Sequence, residues 1–243
     1  MDTVKNNLFV IHQRIKVACD RANRDANDVR LLLATKTVPA ERIRFALDCG
    51  ETLIGENKVQ ELKEKEEKLT QYNCEKHYIG HLQTNKIKEV LKYVTCIESI
   101  DRLDLVQKLD QRLQFEGKSI DILVQVNTSY EESKFGLDPV NVIPFIKEIS
   151  KYDALNIKGL MTIGLFSAEE KKVRKCFRLL KTIQQQVIEE NIPNVEMTQL
   201  SMGMSGDLEV AIEEGATIIR VGTAIFGERI YPDSYYWDES DKS

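Results

Sequence analysis

The chain has 243 residues, 42% hydrophobic and 30% charged, with a formal net charge of -5. That length supports one large α/β domain or two small ones around a substantial core, and the acidic balance argues against extended contact with a nucleic-acid backbone. The five cysteines, Cys19, Cys49, Cys74, Cys96 and Cys176, follow no CxxC spacing, so neither a disulfide framework nor a zinc site is expected and a reducing cytoplasm fits.

The opening segment, Met1 to Asn23, carries charges through its middle and reads as an amphipathic helix, not as a secretion signal. No run approaches the roughly 18 apolar residues of a membrane span. Beyond it, strand-like and helix-like segments alternate. Strands are expected at Val29 to Thr37, Thr52 to Glu56, Lys76 to Gly80, Cys96 to Ile100, Ile120 to Asn127, Ile157 to Ile163, Met197 to Ser201 and Thr217 to Val221. Helical periodicity fills Pro39 to Cys49, Lys58 to Leu69, Thr84 to Leu91, Arg102 to Phe115, Pro139 to Ser150, Ala168 to Glu190 and Gly206 to Glu214. The strand after Ser119 reads Ile-Asp-Ile-Leu-Val-Gln-Val, nearly continuous in apolar residues, as when helices cover a parallel sheet. Repeated βα units over this length predict one domain, residues 1–243, folded as a TIM (β/α)8 barrel with an extra N-terminal helix. A doubly wound open sheet is the alternative, but no GxGxxG follows the first strand. The mixed-sign run Glu61 to Lys68 reads as a solvated helix face.

Lys36 closes the first apolar run, Leu31-Leu32-Leu33-Ala34-Thr35-Lys36. A lysine delivered to the rim of a sheet becomes a Schiff-base nucleophile when desolvation lowers its pKa, whereas one that snorkels to water is inert. Two glycine and hydroxyl segments decide which reading to prefer: Ser201-Met202-Gly203-Met204-Ser205-Gly206-Asp207 after strand seven, and Arg220-Val221-Gly222-Thr223 at strand eight. In a barrel these loops share the rim with Lys36, and such segments cradle phosphate. GMSGD has Asp207 where a nucleophile elbow needs its second glycine, which argues against a hydrolase. Arg220 sits in an apolar strand and must be paired or face a ligand. An amine, a phosphate cradle and an arginine together match pyridoxal 5'-phosphate. Asn57, either a helix cap or a rim residue, and His81, in the turn after strand three, are further candidates. His77 reads as a rim residue or a satisfied core histidine, and Lys134 as a source of positive potential or an ordinary loop lysine.

The segments Ala34-Thr35-Lys36, Gly55 to Glu61 (GENKVQE), His77 to Lys86 (HYIGHLQTNK), Ser201 to Asp207 and Arg220 to Gly227 together resemble the pyridoxal phosphate homeostasis protein family, also called YggS or PROSC. Two departures are Lys76, where the family usually has an aromatic residue, and Gly206, where it usually has a bulkier one. The resemblance implies a single-domain barrel of the alanine racemase type. It implies an internal aldimine on Lys36, Arg220 facing the pyridine nitrogen, Ser201, Gly222 and Thr223 at the phosphate, and Asn57 and Met202 lining the ring pocket. It further implies a protein that binds, buffers or delivers the cofactor, with apo-enzymes as partners and effects on vitamin B6 and amino-acid balance, and without a catalytic reaction.

Residue chemistry points the same way. An arginine at the ring nitrogen disfavours its protonation and weakens the ring as an electron sink, but racemases tolerate this arrangement and length is more telling. After strand eight only the polar tail Glu228 to Ser243, with Trp237, is in view. The β domain that supplies a second acid/base in racemases has no counterpart in it, so Lys36 lacks a partner for two-base chemistry. A small racemase or decarboxylase-like enzyme using His81 or a tyrosine, and an aldolase forming its Schiff base with a sugar phosphate, are the competing readings. The latter gives Arg220 no ring to address. The expected assembly is a monomer or weak dimer, with neither metal, membrane nor nucleic acid involved.

Overall fold

The computed structural model describes residues 2–228. Eight strands, β1 (Arg30–Ala34), β2 (Leu53–Glu56), β3 (Glu75–Tyr78), β4 (Cys96–Ile100), β5 (Ile120–Gln125), β6 (Leu155–Met161), β7 (Val195–Ser201) and β8 (Ile218–Val221), close in chain order into a parallel barrel. The helices are α1 (Asp2–Arg21), α2 (Ala40–Asp48), α3 (Val59–Leu69), α4 (Ile87–Val90), α5 (Leu103–Glu116), α6 (Val142–Ile149), α7 (Glu170–Glu189), α8 (Leu208–Glu213) and α9 (Thr223–Phe226). The expected barrel and its additional N-terminal helix are both present. The tail carrying Trp237 lies outside the described residues.

Helix α1 buries Val4, Leu8, Ile11, Ile15 and Ala18, a spacing that draws one stripe along the helix. It packs on α8 and α9, where the Asn7 Nδ2 donates to the carbonyl of Ile225 at 2.9 Å and Arg14 grips Glu209 at 2.6 and 2.8 Å. No helix among the described residues is long and apolar enough to cross a membrane.

Alternation along β1 divides the core. Leu31 and Leu33 join the large outer cluster shared with the helices, while Leu32 joins Leu53 and Ile218 in a small separate cluster inside the barrel. Cys96, Leu123 and Met161 form a second inner cluster from β4, β5 and β6. The inner wall also carries His77, Glu98, Ser201 and Arg220, all buried. The interior therefore has two apolar parts and a polar seam.

Strand ends differ from expectation by two residues or so, and at β1 the reason is chemical. The strand stops at Ala34 because the Thr35 carbonyl turns to accept from the Val38 N–H at 3.0 Å, and Thr37 adopts a φ of 64°. Lys36 thus sits in a tight turn just past the strand, half-buried, and not within it.

Candidate functional site

Because β7, β8, β1 and β2 are consecutive staves, the residues following them share one sector of the rim. Lys36 follows β1, Asn57 follows β2, Met202 follows β7, and Gly222 and Thr223 follow β8; Ser201 and Arg220 lie within the last turns of their strands. The register sets Arg220 beside Leu32 and Ala34 beside Gly55. A Cβ on Gly222 would stand 2.9 Å from the Ala34 carbonyl, so only glycine lets the end of β8 approach the end of β1 this closely.

The turn holding Lys36 is clamped from α3. Lys65 Nζ donates to the Thr35 carbonyl at 2.8 Å, to Glu56 at 2.5 Å and to Glu61 at 2.7 Å. Thr35 Oγ1 donates to Glu56 at 2.6 Å, and Glu61 accepts from the Thr37 backbone N–H at 2.6 Å. Both neighbours of Lys36 are therefore tied to one buried charge cluster. This corrects the reading of Glu61 to Lys68 as a solvated face. Val59, Leu62, Lys65 and Leu69 form the buried stripe of α3, and Lys65 is only 9% exposed. Its place on that apolar spacing is the signal in the sequence.

Burial is the dominant influence on Glu56 and raises its pKa from 4.5 to about 7, against the opposing pull of Lys65. Its second oxygen has no hydrogen-bond partner among the described residues. The folded value lies above the unfolded one, so the stabilisation from holding this proton is complete below about 4.5 and is lost as pH rises through about 7. Thermal melts of Glu56→Gln against the parent chain should therefore show the difference moving in the variant's favour across that interval. A constant difference would rule out titration of Glu56.

At the β8 end, Thr223 Oγ1 lies 3.3 Å from Ser205 Oγ, which also accepts from the Ala224 N–H at 3.4 Å. Two hydroxyls and the backbone around Gly222 thus gather at the rim, a donor set suited to a phosphate. Ser201, the serine expected there, has its hydroxyl engaged inside the barrel. It is fully buried, donates to Glu98 at 2.5 Å and accepts from Arg220 Nη1 at 2.8 Å. Ser205, four residues on, is visible in the same segment; only the turn after β7 separates their roles. Met202 follows Ser201 on the opposite face and is wholly buried in the outer core, so any ligand contact from it falls to its backbone.

Arg220 is 6% exposed, and its other anchor is the Thr162 carbonyl, which accepts from Nη2 at 2.7 Å. Burial holds its pKa below the ordinary value, opposed by Glu98 and Asp207. His77 is a core residue, its Nδ1 2.7 Å from Glu98. His81 stacks on Phe135 with ring centroids 3.9 Å apart, and Lys134 donates to the Gly164 carbonyl at 2.7 Å and pairs with Glu131.

The chain is similar to known proteins over most of its length. The model of the alanine racemase N-terminal domain matches residues 11–230. A pyridoxal phosphate homeostasis protein of Aquifex aeolicus is 43% identical over 219 residues, covering 90% of this chain and 95% of its own. Among solved structures, PipY of Synechococcus elongatus with pyridoxal phosphate bound superposes with a TM-score of 0.78 at 32% identity, covering 89% of this chain and all (100%) of PipY. An alanine racemase of Clostridium difficile shares the fold at 13% identity and a TM-score of 0.75, this chain matching 58% of its length. The chain thus belongs to the pyridoxal phosphate homeostasis protein family, built on the alanine racemase N-terminal domain.

Proposed function

We propose that this chain binds pyridoxal 5'-phosphate and buffers or delivers it, with Lys36 as the point of covalent attachment. The observation that carries this reading is the convergence of an amine, a pair of rim hydroxyls and a buried guanidinium on three neighbouring strand ends, those of β7, β8 and β1. The name shared by the relatives and the cofactor held by PipY support it. Bound there, the cofactor supplies an aldehyde that condenses with an amine, a phosphate dianion and an aromatic ring nitrogen.

Each demand has a residue. Lys36 offers the amine from a turn whose two flanking residues are fixed by Lys65, Glu56 and Glu61. Ser205, Thr223 and the backbone at Gly222 would hold the phosphate, while Asn57 and the Met202 backbone would border the ring. Arg220 would donate to the ring nitrogen, and a guanidinium there keeps a proton off that atom. A ring left unprotonated is a weaker electron sink, an arrangement that racemases tolerate, so a turnover assay and not this contact separates storage from catalysis.

Borohydride reduction of the protein mixed with pyridoxal phosphate, followed by digestion and mass mapping, should place the pyridoxyl group on the peptide containing Lys36. Absence of label from that peptide would overturn the assignment. Loaded protein offered to an apo-enzyme should transfer cofactor faster than free cofactor at equal concentration if delivery is the role; an equal or slower rate restricts the role to buffering. Catalytic turnover of L-amino acids in a chiral assay would instead establish the racemase reading.

A further inference from the structure

The hydrogen bonds of Arg220 described above go to neutral groups, a serine hydroxyl and a backbone carbonyl. A guanidinium buried in a barrel wall needs a compensating anion nearby, because desolvation of an unbalanced charge is severe. Of the two carboxylates that act on it, Glu98 and Asp207, the stronger is Glu98. It is fully buried on β4, across the interior from β8, and Ser201 stands between the two.

Ser201 is held in one polarity. Arginine has only donors and a carboxylate only acceptors, so the single hydroxyl proton must go to Glu98 Oε2 and the lone pair must receive Arg220 Nη1. The other carboxylate oxygen is pinned in turn. His77 Nδ1 lies 2.7 Å from Glu98 Oε1, His77 Nε2 lies 3.6 Å from Glu75 Oε2, and that oxygen accepts from Arg30 Nη2 at 2.6 Å. Basic and acidic side chains alternate along this line from the lower rim to Arg220. Burial works against ionisation of Glu98, but the hydrogen bond and charge of His77 and the charge of Arg220 outweigh it, and its pKa lies below the ordinary carboxylate value. Burial likewise opposes protonation of His77, and Glu75 and Glu98 overcome it.

We propose that Glu98 is the countercharge and positioning residue of Arg220, acting through the Ser201 hydroxyl to hold the guanidinium fixed for the ring nitrogen of the bound cofactor. Placing a hydroxyl between the two charges leaves the anion out of the ring pocket while still fixing the direction of Nη1. An arginine has five N–H groups, and the two anchors described use one each, so the fork retains donors to offer a ligand. The inference rests on the reading of the site as a pyridoxal phosphate site, and the test separates the two.

The test uses the whole chain and pyridoxal phosphate labelled with nitrogen-15 in the ring. Affinity is read by absorbance titration and the ring nitrogen by its chemical shift, for the parent, Glu98→Gln, Ser201→Ala and the double variant. Glu98→Gln should weaken binding by about tenfold, the size expected for losing a charge-assisted hydrogen bond, and move the ring signal toward that of the free cofactor. Ser201→Ala should move it in the same direction, and the double variant should do no more than the stronger single one, because both act by one route. Ring signals at the parent position in both single variants, or effects that simply add, would overturn the proposal even if the variants melt earlier. If Glu98→Gln does not fold, Ser201→Ala decides alone: an unmoved ring signal overturns the proposal. If the parent chain itself binds no cofactor, the functional reading fails first.

Discussion

Replacing Lys65 by methionine is expected to lower the unfolding free energy by about 3 kcal/mol, the lower end of the range for breaking a buried ion pair. The lower end applies because Glu56, whose pKa is already raised to about 7, can take up a proton when its partner disappears. For a chain of this length that loss corresponds to roughly 6 to 12 °C in melting temperature. The loss also reaches function, since the same ammonium holds the Thr35 carbonyl and the Glu61 carboxylate that fixes Thr37. Cofactor affinity should therefore fall with stability. Adding Glu56→Gln to the methionine variant should recover part of the stability, because no carboxylate is then stranded. Denaturant melts of the single and double variants settle the matter, and a single-variant loss below about 1 kcal/mol would mean that the cluster is not a stabilising clamp.

The second large effect is expected at Gly80. A Cβ there would stand 2.1 Å from the carbonyl oxygen of Asn57 and 2.8 Å from its carbonyl carbon. Backbone cannot yield as a flexible side chain can, so Gly80→Ala must push Asn57 away from its place after β2. Overpacking of this kind costs about 1 to 3 kcal/mol. Since Asn57 borders the proposed ring pocket, the variant should also bind pyridoxal phosphate at least about tenfold more weakly. Gly206→Ala serves as the comparison for stability, because a Cβ there meets nothing within 4 Å. Equal melting temperatures for the two variants would show that the β2 and β3 ends have slack at this point.

Most of the architecture can be read from periodicity, because a parallel barrel repeats one pattern. Runs such as Ile120 to Val126 lie between helices and barrel interior and are apolar apart from Asp121 and Gln125, so they still read as buried strand. The rim position of Lys36 and the burial of Arg220 follow from the same logic. What local pattern does not supply is partner identity across the barrel. Ser201 and Ser205 look equivalent in Ser-Met-Gly-Met-Ser, yet one faces Glu98 and the other Thr223, a distinction created by strands far away in the chain. Glu98 is inconspicuous within Cys-Ile-Glu-Ser-Ile, although a carboxylate in a strand buried at every position signals a compensated charge. Lys65 is hidden by its neighbours, since a run of alternating charges reads as solvent-facing unless its helical phase is compared with Leu62 and Leu69.

The clamp on Lys36 also has a kinetic side. Lys65 and Glu61 belong to α3, so any local opening that lifts this helix from the barrel takes the ammonium from the Thr35 carbonyl and the carboxylate from the Thr37 N–H in the same event. A ligand that requires the closed turn must then oppose that opening by mass action. Amide hydrogens along α3, although remote in sequence from the loops after β7 and β8, should exchange more slowly in loaded protein, making this helix a reporter of occupancy.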